Sequence, residues 1–144
     1  MTADLAFSIV NPVALVGWLV LAAGVIWAKP LLRDVIAGAA MPIALSGFYV
    51  VLIGAFFFKA DGGFDTLAHV QLLFTNKWAA LAGWVHYLAF DLMTGAIVAR
   101  EVMRLGISRL FLIVLLPLTF MFGPAGYFAF MILRLAFSKT EISA

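Results

Sequence analysis

Long apolar runs separated by short polar connections fill most of the chain. The runs lie near residues 5–28, 36–58, 78–99 and 110–133. A helix needs about 20 residues to cross the hydrocarbon core of a bilayer, and the backbone of a lipid-embedded segment must satisfy its own hydrogen bonds. The pattern therefore predicts an all-α polytopic membrane protein. We expect a four-transmembrane-helix bundle that forms one domain over residues 1–144.

The longest polar stretch, 59–77, joins the second and third runs. Gly62 and Gly63 predict a turn there, and Asp65 is expected to cap a short helix. Residues 66–74 would then form an amphipathic segment that lies at the membrane interface. His69 belongs to this segment. It is interpreted as a surface histidine, with a lid over a membrane site as the alternative.

Prolines predict where the helices begin, end and bend. Asn11 is expected to cap the main part of the first helix, since Pro12 would then lie in the first turn, where its missing N–H costs nothing. Lys29 and Pro30 should end that helix. In the fourth run, Pro124 follows a glycine deep in apolar sequence. We expect a kink or an opening there, with the freed carbonyl groups satisfied inside the bundle.

Composition agrees with a protein that has almost no surface in water. Apolar residues make up 66% of the chain and charged residues 11%, whereas soluble domains carry about 25% charged residues. The nine lysines and arginines lie near helix ends, which is typical of anchors in contact with membrane lipids. No basic cluster with interleaved aromatic residues indicates a nucleic-acid partner.

The basic residues also predict an orientation. Four crossings would place both termini on the same side of the membrane. The loops on the opposite side hold five basic residues, and the termini with the middle loop hold four, so the positive-inside rule places the termini outside the cytoplasm. No basic segment precedes the first run, so we expect a retained helix and no signal peptide. The lack of a transit-like region favours a bacterial inner membrane.

Asp91 is the least expected side chain at membrane depth. An ionised group there costs several kcal/mol unless it is paired, hydrated or protonated, so it usually faces a partner or a cavity. Three interpretations stay open. The carboxyl could hydrogen-bond helices together, it could donate or accept a proton in function, or it could face lipid.

His86 lies in the same run, five positions before Asp91. At 100° per residue the two side chains are about 140° apart around the axis, so a direct pair within the helix is not expected. Tyr87, four positions before Asp91, can reach its carboxyl. Either this helix is central in the bundle, or one of the two groups is structural.

Several cofactor classes lack the residues they need. The chain has no cysteine, only one histidine well inside a run, and lysines only near helix ends. Haem with two axial histidines, iron–sulfur clusters, di-iron sites and a retinal Schiff base are therefore not expected. We predict no metal site and no cofactor.

Two segments resemble one known family. Residues 76–95, NKWAALAGWVHYLAFDLMTG, and residues 118–127, LTFMFGPAGY, are similar to the signature blocks of the abscisic-acid-deficient-four-like membrane family. The first helices fit the family loosely, so the resemblance covers nearly the whole chain. A plant member of that family is associated with the synthesis of neoxanthin from violaxanthin.

The resemblance implies a four-helix membrane protein that binds or converts a carotenoid or another isoprenoid lipid. The plant reaction would be an epoxide-to-allene isomerisation without net redox change, which needs one acid and one base. The resemblance then implies Asp91 and His86 as the catalytic pair, in no fixed order. The ligand-binding residues it implies are Tyr87, Trp84, Tyr127 and Tyr49.

Two other functions compete with a cofactor-independent carotenoid isomerase. The chain could be a small subunit or assembly factor of a larger, perhaps photosynthetic, membrane complex, because small residues on helix faces suit helix–helix contacts with such a partner or in a homo-oligomer. It could also be a proton-coupled carrier with Asp91 as relay. The short length and the lack of inverted repeats count against the carrier.

Overall fold

The computed structural model describes residues 2–141, with side chains described through Phe137. Every regular element within this range is helical. The helices are α1 (Ala3–Ile26), α2 (π-helical over Leu31–Ala40, α-helical over Met41–Phe56, ending in the 3-10 turn Phe57–Lys59), α3 (Leu67–Thr75), α4 (Lys77–Arg104) and, after a 3-10 turn at Arg109–Phe111, α5 (Leu112–Glu141). Four of the segments are long and apolar enough to cross a membrane. The predicted all-α class is confirmed.

The first helix begins eight residues before the predicted cap. Thr2 is the N-cap, and its hydroxyl accepts a hydrogen bond of 3.2 Å from the backbone N–H of Leu5. Asn11 lies inside α1, where its side chain donates to the carbonyl of Phe7. The prediction that Asn11 caps this helix is therefore wrong. Its amide oxygen is free to bond across to α4.

The short helix α3 is capped by the residue after the predicted one. The Thr66 hydroxyl accepts from the backbone N–H of His69, 3.1 Å away. Asp65 instead accepts from His69 Nδ1 at 2.7 Å, and this hydrogen bond lowers the pKa of the Asp65 carboxyl. The prediction that Asp65 caps α3 is wrong, because its carboxylate is occupied by the imidazole. His69 is exposed, as expected.

α4 is the central helix and packs against each of the other four. Small residues allow the close approach. Gly24 of α1 lies against the backbone of Arg33 in α2, and Gly95 of α4 lies beneath the indole ring of Trp18. The buried core includes Leu21, Leu92, Val98, Val102 and Phe130. Of the two alternatives left open by the spacing of His86 and Asp91, the packing agrees with a central helix.

Charged pairs hold the two ends of the bundle. At one end Asp34 accepts from Arg33 at 2.6 Å and from Arg100 at 3.2 Å, which joins α2 to α4. At the other end Lys77 binds Asp4 at 3.1 Å, which joins α4 to α1. We call the first end the arginine-rich end; its members are Lys29, Arg33, Arg100, Arg104 and Arg109.

The last helix is folded back on itself. Its backbone leaves helical geometry at Phe122, where φ is −145° and ψ is 62°. Beyond the break, Gly126 lies so close to Thr119 that a Cβ on the glycine would overlap the threonine backbone. The rings of Phe111 and Phe137 are 5.9 Å apart, whereas 26 residues of straight helix would separate them by about 39 Å. The expected kink at this point is confirmed, and it makes α5 a hairpin with arms 112–121 and 123–137.

Gly24→Ala should destabilise the bundle by about 1–3 kcal/mol, the usual cost of overpacking. The added Cβ would come within 2.6 Å of the backbone nitrogen of Arg33, which cannot move without shifting α2. The measurement is thermal unfolding in detergent. Gly54→Ala is the matched control, because a Cβ there meets nothing within 4 Å and alanine is the better helix former. Equal melting temperatures for the two variants would show that α1 and α2 do not touch at Gly24.

Candidate functional site

Asp91 lies at the middle of α4, as the fifteenth of its 28 residues. Its side chain is half-buried and points at the tip of the α5 hairpin. A Cβ on Gly123 would overlap the Asp91 carboxylate. Only glycine at the tip therefore leaves room for this carboxylate, and the side chain does not extend wholly into lipid.

The hairpin places a helix N-terminus beside that carboxylate. The second arm of α5 begins at Gly123, and the start of a helix carries partial positive charge from its unpaired N–H groups. Such an end favours a negative group by about 0.3–1 kcal/mol. Within the described residues no hydrogen bond to Asp91 is formed. The negative charge of Asp91 is thus partly offset by the helix N-terminus, and no ion pair neutralises it.

The face of α4 that carries Asp91 is buried on one side of Asp91 and exposed on the other. Val98 and Val102 lie within about 40° of Asp91 around the axis and are fully buried. Trp84 and Tyr87 share the same face on the other side of Asp91 and are 44% and 53% exposed. The hairpin covers the face as far as Asp91 and no further. We call the uncovered part, Trp84 to Asp91, the open face of α4.

His86 belongs to a different side of α4. Its ring lies 5.5 Å from that of Tyr49 in α2 and 4.6 Å from that of Phe90. It is exposed and lies within electrostatic range of the Asp91 carboxylate. No hydrogen bond joins His86 to Asp91 in the part of the chain that the structure describes. The expectation that the two do not form a direct pair agrees with this arrangement.

The remaining predicted residues are distributed along the open face and the hairpin. Trp84 donates a hydrogen bond of 2.7 Å to the Asn11 side chain in α1. Tyr127, on the second arm one turn after Gly123, is 45% exposed. Tyr87 lies one turn before Asp91, but no hydrogen bond between them is present among the described residues. Its hydroxyl is available to a ligand.

An apolar groove lies beside the site, between α1 and the first arm of α5. Its volume is about 500 Å³. Trp18 and Phe120 form its inner end with an edge-on ring contact at 5.4 Å. Arg109 lies at the outer end and donates to the carbonyl of Val25 at 3.3 Å. The groove thus runs from the arginine-rich end to within a helical turn of the Asp91 and Gly123 contact.

Sequence reasoning missed two residues of this site. Gly123 was interpreted only as part of a kink, although glycine beside proline at membrane depth also permits a close approach. Asn11 was interpreted as a cap, and its partner Trp84 lies 73 positions away in the sequence. No local pattern predicts such a contact. Among the described residues, no cluster of three or more His, Cys, Asp or Glu side chains could hold a metal ion.

The fold and site define an integral membrane helical bundle with one carboxylate held at mid-depth beside an aromatic face open to lipid. A family model described as ABA4-like, ABA DEFICIENT 4-like, matches residues 5–130. The chain therefore belongs to the ABA4-like family, as the sequence resemblance indicated, and membership suggests a carotenoid-related membrane protein. Comparisons with curated proteins and with solved structures returned no match.

Asp91→Asn should raise the free energy of unfolding by about 1–3 kcal/mol. An aspartate at the centre of a membrane helix costs about 2.5–3.5 kcal/mol, and the helix N-terminus returns only about 0.3–1 kcal/mol of that. The measurement is thermal unfolding in detergent at pH 8. Asp34→Asn is the control and should lower stability, because it weakens the contacts with Arg33 and Arg100. A loss of stability in Asp91→Asn would assign Asp91 a structural bond instead.

Proposed function

We propose that this protein binds a carotenoid or a related isoprenoid lipid on the open face of α4. We further propose that Asp91 transfers the protons in an epoxide-to-allene isomerisation of that ligand. The observation that supports both statements is the placement of Asp91. It is an unpaired carboxylate at mid-membrane depth, held against Gly123 and flanked by exposed aromatic side chains.

The surroundings of Asp91 suit an apolar ligand with a polar end group. Sites for small molecules are mainly apolar and aromatic, with a few polar groups that orient the ligand. The open face offers the ring surfaces of Trp84 and Tyr87. Polar contacts come from the Tyr87 hydroxyl and the Asp91 carboxyl. Because the face opens sideways to lipid, the ligand would arrive dissolved in the bilayer.

The proposed reaction conserves atoms and electrons. A base removes the proton from the vinyl carbon next to the epoxide, and the electrons of that C–H bond form a new double bond to the epoxide carbon. The C–O bond at that carbon breaks, and the oxygen takes a proton to become an alcohol. The product is an isomer of the substrate, so the step needs no oxidant, reductant or cofactor.

Asp91 could supply both proton transfers. A protonated carboxyl has one O–H donor and one acceptor oxygen. The O–H would protonate the epoxide oxygen while the second oxygen accepts the proton from carbon, and the carboxyl would end the reaction protonated again. His86 contacts Tyr49 on the α2 side of the helix. We therefore propose that His86 does not touch the reacting atoms and takes no part in the proton transfers.

Pigment should co-purify with the protein from a host that makes epoxy-carotenoids. Asp91→Asn should reduce conversion at least about 100-fold, since a general acid or base contributes about 10²–10⁴. It should keep most of the bound pigment, because the aromatic face is unchanged. The measurement is an absorption spectrum of the purified protein with chromatography of the extracted pigment. His86→Gln is the control and should keep both pigment and conversion.

The outcomes separate the parts of the proposal. Unchanged conversion in Asp91→Asn would remove Asp91 from the mechanism. Lost conversion in His86→Gln would restore the two-residue acid–base pair. A protein that carries no pigment from such a host, in gentle detergent, would contradict carotenoid binding.

A second function, as a small subunit or assembly factor, has its own support in α2. Gly47 and Gly54 are seven positions apart, and a Cβ on either meets nothing within 4 Å. Exposed small residues at helical spacing suit close contact with another membrane helix, from a second copy or from a larger complex. Native purification tests this function. A chain that migrates alone would count against it.

A further inference from the structure

We infer that the chain crosses the membrane three times and that its fourth apolar segment is a re-entrant hairpin, which enters and leaves at the arginine-rich end. The open face of α4 would then face only the opposite half of the bilayer. This inference concerns the topology of the chain. Only its consequence for ligand entry rests on the proposed function.

The first support comes from contacts at the end of the hairpin opposite its tip, where the first arm begins and the second arm ends. The first arm starts beside the last turn of α1, where Arg109 binds the carbonyl of Val25. The second arm returns to the same end, because Phe137 contacts Phe111 and Arg134 lies within electrostatic range of Glu101 in the last turn of α4. Both arms therefore meet the end of the bundle at which α1 and α4 finish.

The depth of the hairpin tip is the second support. Ten residues of the first arm rise about 15 Å, which is half the hydrocarbon core of about 30 Å. The tip residue Gly123 contacts Asp91, the midpoint of α4. Non-helical backbone at this depth is tolerated where protein or a cavity surrounds it. Thr119, Gly123 and Gly126 at the tip are buried, and the Phe122 side chain is exposed.

The charges orient the chain once the hairpin is in place. With the second arm returned, six of the basic residues with described side chains lie at the arginine-rich end, namely Lys29, Arg33, Arg100, Arg104, Arg109 and Arg134. The other end has two, Lys59 and Lys77. Four crossings gave five against four, a margin of one basic residue. Six against two places the arginine-rich end in the cytoplasm by the positive-inside rule.

The two termini then lie on opposite sides of the membrane. The N-terminus would be outside the cytoplasm, as the sequence also predicts, but the C-terminus would be inside. The expectation of both termini on one side depends on the fourth segment being a full crossing. If the proposed function holds, the ligand reaches Asp91 from the outer leaflet, because the hairpin fills the inner half of that face.

Single-cysteine labelling tests the topology directly, since the natural chain has no cysteine and gives no background. The variants are Asp61→Cys before α3, Ser108→Cys before α5, and Ser143→Cys near the C-terminal end. Intact bacterial cells are treated with a membrane-impermeant thiol reagent, before and after permeabilisation. We expect Asp61→Cys to react in intact cells. Ser108→Cys and Ser143→Cys should react only after permeabilisation.

Each alternative pattern contradicts a defined part of the inference. If Ser143→Cys reacts together with Asp61→Cys, the fourth segment crosses the membrane and the hairpin is overturned. If Ser108→Cys and Ser143→Cys react together in intact cells while Asp61→Cys does not, the hairpin stands and the orientation is overturned. Neither result depends on any bound ligand, so both are distinct from a failure of the proposed function.

A crosslink checks the hairpin without reference to sidedness. Phe111→Cys combined with Phe137→Cys should join within one chain when treated with a short bifunctional thiol reagent. Cyanogen bromide cleaves after each methionine, so Phe111 and Phe137 fall in the separate fragments 104–121 and 132–144. The crosslink would keep these two fragments joined after cleavage. The matched control is Phe111→Cys alone, whose fragments should separate fully after cleavage. Full separation of the double variant would place the two positions far apart, as in a straight helix.

Discussion

A backbone break at mid-membrane depth is the constraint on which the rest of this structure depends. Bilayer hydrocarbon offers no water to unpaired carbonyl and N–H groups, so the break at Phe122 must be enclosed by protein. The hairpin encloses the inner side of the break, where Gly123 packs on α4 and the arms cross at Thr119 and Gly126, while the Phe122 side chain stays exposed. Thr119 is fully buried, and its hydroxyl bonds the carbonyl of Leu115 at 2.7 Å, a contact that commonly bends helices.

The same break also determines how the Asp91 carboxylate can be accommodated at the middle of α4. A complete fourth helix would cover the face of α4 from end to end, and a carboxylate beneath it would have to be paired or removed. The hairpin stops at Asp91 and brings the start of its second arm there, so the carboxylate meets a favourable helix dipole on one side and an open aromatic face on the other. Its residual cost of about 1–3 kcal/mol falls on a helix whose half toward Arg104 lies in a buried core.

The fold class, the apolar segments and the bend near Pro124 could be predicted from sequence, because each leaves a local signal, whereas the central position of α4 was only one of two alternatives. Hydropathy marks the segments, and a proline at membrane depth marks the bend. The angle of about 140° between His86 and Asp91 follows from helix geometry alone, and it agrees with their separate surroundings. The contacts of Asn11 with Trp84 and of Gly123 with Asp91 could not be predicted in this way. Both join residues distant in sequence, and both depend on which faces meet after packing.

Hydropathy cannot distinguish a spanning helix from a re-entrant hairpin of the same length, and the fourth segment is such a case. The 29 residues of the mainly apolar segment from Arg109 to Phe137 are long enough for one crossing. They are equally long enough for two arms of about 10–15 residues, the length typical of re-entrant segments. A composition average over the window cannot separate the two, since both keep the same residues in lipid. What differs is the centre of the run. A spanning helix tolerates glycine and proline there as a mild kink, whereas a hairpin requires a break, a glycine for close approach and small or polar residues where the arms cross. This segment has all three at Phe122, Gly123, Gly126 and Thr119, so the order of residues at the middle of an apolar run carries topological information that its length does not.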